Sequence, residues 1–180
     1  MSKTLKKILA ISGSLRANST NLTIIKNIAR TFEGRIEVSI YEGLAHLPHF
    51  NPDLEKTAQI AEVEDFRRRV RAADGVLICT PEYVFSMPGA LKNALEWTVG
   101  TSDFDQKPVA LITASSAGEK THESLFLVLK TIGADLTENT ALLISGARTK
   151  VNAEGEISDA PTVESIKQVI ESFLISIEDS

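Results

Sequence analysis

The chain has 180 residues, 43% of them hydrophobic and 24% charged, and its formal net charge is −5. The length predicts one domain, residues 1–180, and no apolar run approaches the roughly 18 residues that a membrane span requires. The net negative charge argues against nucleic acid as a partner, because duplex binding requires a concentrated basic face, and the single cysteine, Cys79, is consistent with a reducing cytoplasm.

The first part of the chain alternates the hydrophobic patterns of strands and helices. Lys6 to Ser12 is predicted to be a buried strand, and apolar residues at helical spacing predict a helix over roughly Thr20 to Phe32. Alternating apolar residues from Arg35 to Tyr41 predict an edge strand, and a loop over residues 42–53 follows it. Helical spacing returns between Ile60 and Ala73, which predicts the second helix.

The second part of the chain continues this alternation. The apolar run of Gly75 to Thr80 is continuous, as in a parallel strand that is covered on both faces. The remaining predicted elements are, in chain order, a helix from about Pro88 to Val99, a strand from Pro108 to Ala114, a helix around Leu125 to Ile132, a strand from Thr140 to Ser145 and an amphipathic helix from about Val163 to Ile177. The polar stretch of residues 146–160 has no assigned structure. Five strand–helix repeats predict a parallel, doubly wound sheet, in which ligands bind beyond the carboxyl ends of the strands.

The loop after the first strand is rich in groups that bind anions. Gly13 to Asn21 contains small hydroxyl and amide side chains and one guanidinium, Arg16, directly before a helix. Backbone N–H groups, hydroxyls and the positive end of a helix dipole can together hold one phosphate, and a guanidinium suits phosphate oxygens. The loop has neither the Gly-x-Gly-x-x-Gly pattern of dinucleotide-binding proteins nor the Gly-Lys-Ser/Thr ending of nucleoside triphosphatases. It predicts a phosphate site of another kind, with a turn rich in helix-capping residues as the alternative interpretation.

The loop after the third strand is stiff and aromatic. Two prolines, Pro81 and Pro88, bracket Tyr83 and Phe85. Backbone N–H groups in such a loop can meet the edge of a flat heteroaromatic ring while the aromatic side chains supply apolar surface. The alternative is a rigid connection whose aromatic residues belong to the core. No arginine follows Cys79 in this loop, which argues against a low-molecular-weight tyrosine phosphatase, so Cys79 is predicted to be a small buried residue.

Together, these two loops resemble the NAD(P)H-dependent FMN reductase family. The motifs are Gly-Ser-Leu-Arg-x-x-Ser-x-Asn, from Gly13 to Asn21, and Pro-Glu-Tyr-x-x-Ser-x-Pro-Gly-x-Leu-Lys-Asn-Ala, from Pro81 to Ala94. The resemblance implies a flavodoxin-like α/β fold, a three-layer sandwich with a five-stranded parallel sheet of order 2-1-3-4-5. It also implies bound FMN, NADPH or NADH as co-substrate, a small electron acceptor such as a quinone, azo dye, chromate or free flavin, and a homodimer or homotetramer.

The resemblance further implies which residues bind the flavin. It names no catalytic acid or base, because the chemistry belongs to the cofactor. The FMN phosphate is expected at Ser14, Arg16, Ser19, Thr20 and Asn21, the isoalloxazine ring at Pro81, Glu82, Tyr83 and Val84, and the pyrimidine and ribityl side at Ser115, Ser116 and Gly118. No metal site is expected at His46 or His49, since neither has cysteines or carboxylates at ligand spacing.

One position and one segment depart from the family pattern. Many relatives carry Asn where this chain has Val84, and many have a Gly-Gly pair followed by Arg in the region where this chain has Glu119, Lys120 and His122. Two other hypotheses stay open. One is a non-enzymatic FMN electron carrier, and the other, to which the second departure points, is a flavin-binding regulatory module that never reacts with a nicotinamide. The modest net charge argues against the carrier, because flavodoxin-type carriers are far more acidic.

Overall fold

Five parallel strands form the central sheet of the computed structural model, which describes residues 5–57 and 59–180. In chain order the strands are β1 (Lys6–Ser12), β2 (Ile36–Ile40), β3 (Gly75–Thr80), β4 (Val109–Ala114) and β5 (Ala141–Ile144). They lie in the order β2-β1-β3-β4-β5, and every neighbouring pair is parallel. The predicted order is therefore confirmed, and the strand order reverses between β1 and β3. The predicted domain also includes residues 1–4 and 58, which lie outside the described residues.

Helices pack on both faces of this sheet. Those in the described ranges are α1 (Thr20–Thr31), α2 (Pro52–Thr57), α3 (Ala61–Ala72), α4 (Gly89–Glu96), α5 (Glu119–Thr131) and α6 (Ala160–Asp179). Successive residues of a buried strand alternate between two apolar layers, so that Leu77 packs with α1 and α6 while Val76 and Ile78 pack with α3, α4 and α5. This alternation gives the predicted three layers. Within the described ranges, no helix combines the length and the apolar character needed to cross a membrane.

The clearest differences from the sequence prediction are short elements outside the main periodic segments. The predicted loop over residues 42–53 contains a 3₁₀ turn, Gly43–His46, and the start of α2. No side chain of α2 is fully buried, so this helix has no hydrophobic period from which it could be predicted. After β5, the unassigned stretch forms another 3₁₀ turn, Ala147–Lys150, and an antiparallel bridge between Val151 and Ile157.

Candidate functional site

Loops at the carboxyl edge of the sheet surround a cavity of about 230 Å³. Three of them follow β1, β3 and β4, as predicted for ligand-binding loops in this kind of sheet. The cavity is lined by Ser14, Arg16, Ser19, Thr20 and Asn21 after β1, Pro81, Glu82 and Tyr83 after β3, Ala114, Ser115 and Ser116 at and after the end of β4, and Ala147 and Arg148 after β5. The structure thus brings together all the predicted flavin-binding residues except Val84 and Gly118, which lie in the same loops but do not line the cavity.

The loop after β1 passes so close to β3 that only glycine fits at its start. A Cβ atom at Gly13 would lie 2.2 Å from Thr80 Oγ1 and 2.7 Å from Thr80 Cβ. The next residue, Ser14, accepts a hydrogen bond from the backbone N–H of Arg16 at 3.3 Å, and its hydroxyl lies 3.2 Å from the Tyr83 hydroxyl. The close approach and these hydrogen bonds fix the loop after β1 against the loop after β3.

The first turn of α1 is tied to the ends of two strands. Ser19 caps α1 by accepting a hydrogen bond from the backbone N–H of Asn21 at 3.2 Å. The buried Asn21 side chain donates to the Ala114 carbonyl at 3.3 Å and accepts from the Cys79 thiol at 3.3 Å. Burial raises the pKa of this thiol, so Cys79 stays protonated and donates. The Asn21 amide therefore holds the loop onto β3 and β4.

The Arg16 guanidinium in the loop after β1 is available to bind a ligand. The Arg16 side chain is exposed, and its guanidinium makes no hydrogen bond or ion pair with any residue in the described ranges. Around it lie the hydroxyls of Ser14, Ser19 and Thr20, and behind it the N-terminus of α1. A guanidinium, several hydroxyls and a helix N-terminus form a donor set that matches the oxygens of a phosphate.

The tip of the loop after β3 is strained and exposed. Tyr83 and Ser86 exchange two backbone hydrogen bonds, of 2.8 and 3.1 Å, across a two-residue turn. Both turn residues have positive φ angles, 52° at Val84 and 57° at Phe85, in the left-handed region that L side chains disfavour. The side chains of Val84 and Phe85 are 96% and 76% exposed. The alternative in which Tyr83 and Phe85 are core aromatics is therefore wrong, and the turn presents apolar surface to solvent beside the cavity.

Glu82 joins the loop after β3 to the loop after β4. Its carboxylate accepts a hydrogen bond from the backbone N–H of Thr121 at 2.9 Å. Thr121 lies in the first turn of α5, whose N-cap is Gly118, a residue without a side chain to satisfy the free N–H groups of that turn. Gly118 itself has a φ of 112°, and a Cβ atom there would lie 2.9 Å from Leu143 Cδ1. Glu82 therefore caps α5 from a neighbouring loop.

The unusual residues of the loop after β4 lie at the start of α5. The His122 Nδ1 atom is 3.0 Å from Thr113 Oγ1, and the half-buried position lowers the pKa of the imidazole. Neither His122 nor Glu119 lines the cavity. His46 lies elsewhere, in a separate groove beside Tyr41 and Glu62. None of the three residues that depart from the family pattern in this segment, Glu119, Lys120 and His122, therefore lines the cavity.

Besides Ala114 at the end of β4, two lining residues, Ala147 and Arg148, are missing from the sequence prediction. They belong to the segment after β5, which is bound to the loop after β4 by backbone hydrogen bonds from Gly146 to Ser116, at 3.1 Å, and from Ala147 to Ser115, at 3.0 Å. The strand pattern contains a signal for them, because the carboxyl end of β5 lies at the same edge of a parallel sheet as the ends of β1, β3 and β4.

The similarity of this chain to known proteins covers almost its full length. The family model described as NADPH-dependent FMN reductase matches residues 6–149. An NAD(P)H-dependent FMN reductase of Pseudomonas aeruginosa is 30% identical over 172 residues, which cover 93% of this chain and 92% of the relative. A quinone reductase of Escherichia coli is 29% identical over 174 residues, 93% of each protein. The solved structure of FerB, a flavoenzyme NAD(P)H:(acceptor) oxidoreductase from Paracoccus denitrificans, superposes with a TM-score of 0.83 at 27% identity and covers 97% of this chain and 98% of that chain.

Proposed function

The chain belongs to the NADPH-dependent FMN reductase family, and from this premise we propose that the cavity holds FMN and that the protein passes electrons from NADPH or NADH to a small acceptor. The observation that carries the placement of FMN is the unpaired Arg16 guanidinium among the hydroxyls at the N-terminus of α1. A phosphate monoester carries a charge of about −1.5 to −2 at neutral pH and needs such donors when it binds without a metal.

In this proposal the loop after β1 holds the FMN phosphate. Arg16 and the hydroxyls of Ser14, Ser19 and Thr20 donate to the phosphate oxygens. The Ser19 hydroxyl can do so although it caps α1, because it accepts one hydrogen bond there and keeps its own proton to donate. Asn21 acts as a positioning residue, since its amide is engaged with Ala114 and Cys79.

The other loops take the rest of the cofactor. The isoalloxazine ring lies against Pro81, Glu82 and Tyr83, with the exposed Val84 in the turn beside them, and the pyrimidine and ribityl side lies against Ser115 and Ser116. When bound, FMN supplies the redox chemistry by accepting a hydride from the nicotinamide and passing electrons to the second substrate. The residues of this chain bind and orient the cofactor, and no side chain is required as an acid or base in the hydride step.

For the electron acceptor we propose a quinone. The exposed side chains of Val84 and Phe85 provide apolar surface beside the cavity, which suits a flat and weakly polar ring. A relative that matches over 93% of both proteins is a quinone reductase. Azo dyes, chromate and free flavin are the acceptors to compare with it in the same assay.

We also propose that the protein works as a homodimer or homotetramer in the cytoplasm. The assembly follows from the family resemblance, and the cytoplasmic location from the single, buried cysteine, which requires no oxidising compartment. Sedimentation of the purified protein with and without FMN tests the assembly, and a monomer at all concentrations would contradict it.

The electron-transfer proposal is tested by mixing FMN-loaded protein with NADPH or NADH without oxygen while the visible flavin absorbance is followed. We expect bleaching within seconds and recovery of the yellow colour when a quinone is added. The ratio of the bleaching rates gives the preferred nicotinamide nucleotide. A protein that binds FMN but stays yellow with both nucleotides would be an electron carrier or a regulatory module, and the reductase proposal would fail.

A further inference from the structure

The arginines of this chain fall into two groups. Six of the eight pair with carboxylates, namely Arg30 with Glu156, Arg35 with Glu171, Arg67 with Glu55 and Glu64, Arg68 and Arg69 with Asp65, and Arg71 with Asp103. The other two, Arg16 and Arg148, make no ion pair and no guanidinium hydrogen bond with any residue that the structure describes. Both line the cavity at the carboxyl edge of the sheet. In a chain with a net charge of −5, the two unpaired guanidiniums thus occur at the same place.

The position of Arg148 is fixed by backbone contacts. Gly146 adopts a φ of 65° and donates its N–H to the Ser116 carbonyl at 3.1 Å, and the buried Ala147 donates to the Ser115 carbonyl at 3.0 Å. These contacts hold the start of the 3₁₀ turn, and with it Arg148, against the loop after β4. Two positions further along the chain, Lys150 Nζ lies 3.8 Å from Asp159 Oδ2, so its charge is partly balanced by a carboxylate. Arg148 has no such carboxylate partner among the described residues.

We propose that Arg148 is a second phosphate-binding residue, which contacts the FMN phosphate together with Arg16 and makes the cavity select FMN over riboflavin. This inference rests on the proposed function. A single guanidinium leaves part of the charge of a phosphate monoester uncompensated, and a second one on another wall of the same cavity balances it. The one carboxylate that lines the cavity, Glu82, makes no ion pair with Arg148, and one of its oxygens accepts a hydrogen bond from the backbone N–H of Thr121.

The test compares FMN with riboflavin, which lacks only the phosphate, as ligands of the apoprotein. Flavin fluorescence is followed during titration of the wild type, of Arg148→Gln and of Lys26→Gln. Lys26 is the matched control, since it is exposed on α1, lies outside the cavity wall and loses the same unit of charge. We expect Arg148→Gln to weaken FMN binding about tenfold and riboflavin binding less than about twofold. Lys26→Gln should leave both affinities near the wild-type values.

Two further readouts separate a phosphate contact from a change in folding. Because Arg148 has no partner among the described residues, the unfolding temperature of the Arg148→Gln apoprotein should equal that of the wild type. Inorganic phosphate should raise the unfolding temperature of the wild-type apoprotein more than that of Arg148→Gln, since a ligand stabilises the state that binds it. Added salt should weaken FMN binding to the wild type more than to the variant.

Two results would overturn the inference while the proposed function stands. One is an equal loss of FMN and riboflavin affinity, and the other is an FMN affinity that Arg148→Gln leaves unchanged. In the second case, a KM for NADPH that rises relative to the KM for NADH would assign Arg148 to a phosphate of the nicotinamide nucleotide. A wild-type apoprotein that binds no FMN would contradict the proposed function itself, and the inference with it.

Discussion

In the loop from Gly13 to Asn21, no residue has a positive φ angle, and buried hydrogen bonds join the loop to β3 and β4. In the loop from Pro81 to Pro88, two consecutive non-glycine residues, Val84 and Phe85, have positive φ angles, and their side chains are exposed to solvent. The first loop is therefore stabilised by its contacts with the sheet, whereas the second keeps an unfavourable turn because its flanks are fixed. Tyr83 and Ser86 close that turn with two hydrogen bonds.

This difference agrees with what each loop does in the proposed site. A phosphate needs donors at fixed positions, and a loop that is fastened to two strands provides them at no further cost in ordering. A ring that exchanges electrons with two substrates in turn needs an accessible edge, and an exposed tip such as Val84 and Phe85 leaves that edge open.

The largest effect is expected from breaking the close approach at Gly13. Gly13→Ala should lower the free energy of unfolding by about 3 kcal/mol, because the new Cβ atom meets the buried Thr80 side chain at 2.2 Å from Oγ1 and β3 cannot move aside. Urea unfolding measures this difference. Gly89→Ala is the control, since no atom lies within 4 Å of a Cβ atom at that position. If Gly13→Ala is as stable as Gly89→Ala, the loop after β1 is not anchored against β3.

The sequence was sufficient for the sheet and for the loop after β1. Buried parallel strands are continuous apolar runs, and small hydroxyl side chains before an amphipathic helix are typical of a phosphate loop, which stays a prediction for this chain. The strained tip could not be predicted, because Val84 and Phe85 are not the Asn and Gly residues that mark such turns. The hydrogen bond by which Glu82 caps α5 could not be predicted from the sequence either, because its partner, Thr121, lies 39 residues further along the chain.

A smaller loss of stability is expected from removing the side-chain hydrogen bonds that join the loop after β1 to the sheet. Asn21→Ala removes the partners of the Ala114 carbonyl and the Cys79 thiol, so it should lower the free energy of unfolding by about 2 kcal/mol. It should also weaken FMN binding, although its amide contacts only the protein, because the phosphate-binding donors lose their fixed positions. Urea unfolding and fluorescence titration measure the two losses.

Asn18→Ala is the matched control for this prediction. Asn18 is exposed in the same loop and makes no hydrogen bond with any described residue, so its removal should change stability by less than about 0.5 kcal/mol. A loss of FMN affinity in Asn21→Ala without a loss of stability would mean that the Asn21 amide binds the cofactor directly, against the positioning role assigned to it.

The smallest expected effect is a gain in stability, and it comes from a substitution in the exposed turn of the loop after β3. Val84→Asn should raise the free energy of unfolding by about 1 kcal/mol, because Asn tolerates the left-handed φ of 52° better than a β-branched residue does. The exposed side chain of Val84 offers almost no packing to lose. Val99→Asn is the control, since Val99 is also exposed, at 60%, but is not among the residues with a positive φ. Equal changes in both variants would show that exposure alone, and not backbone strain, distinguishes the tip from the loop after β1.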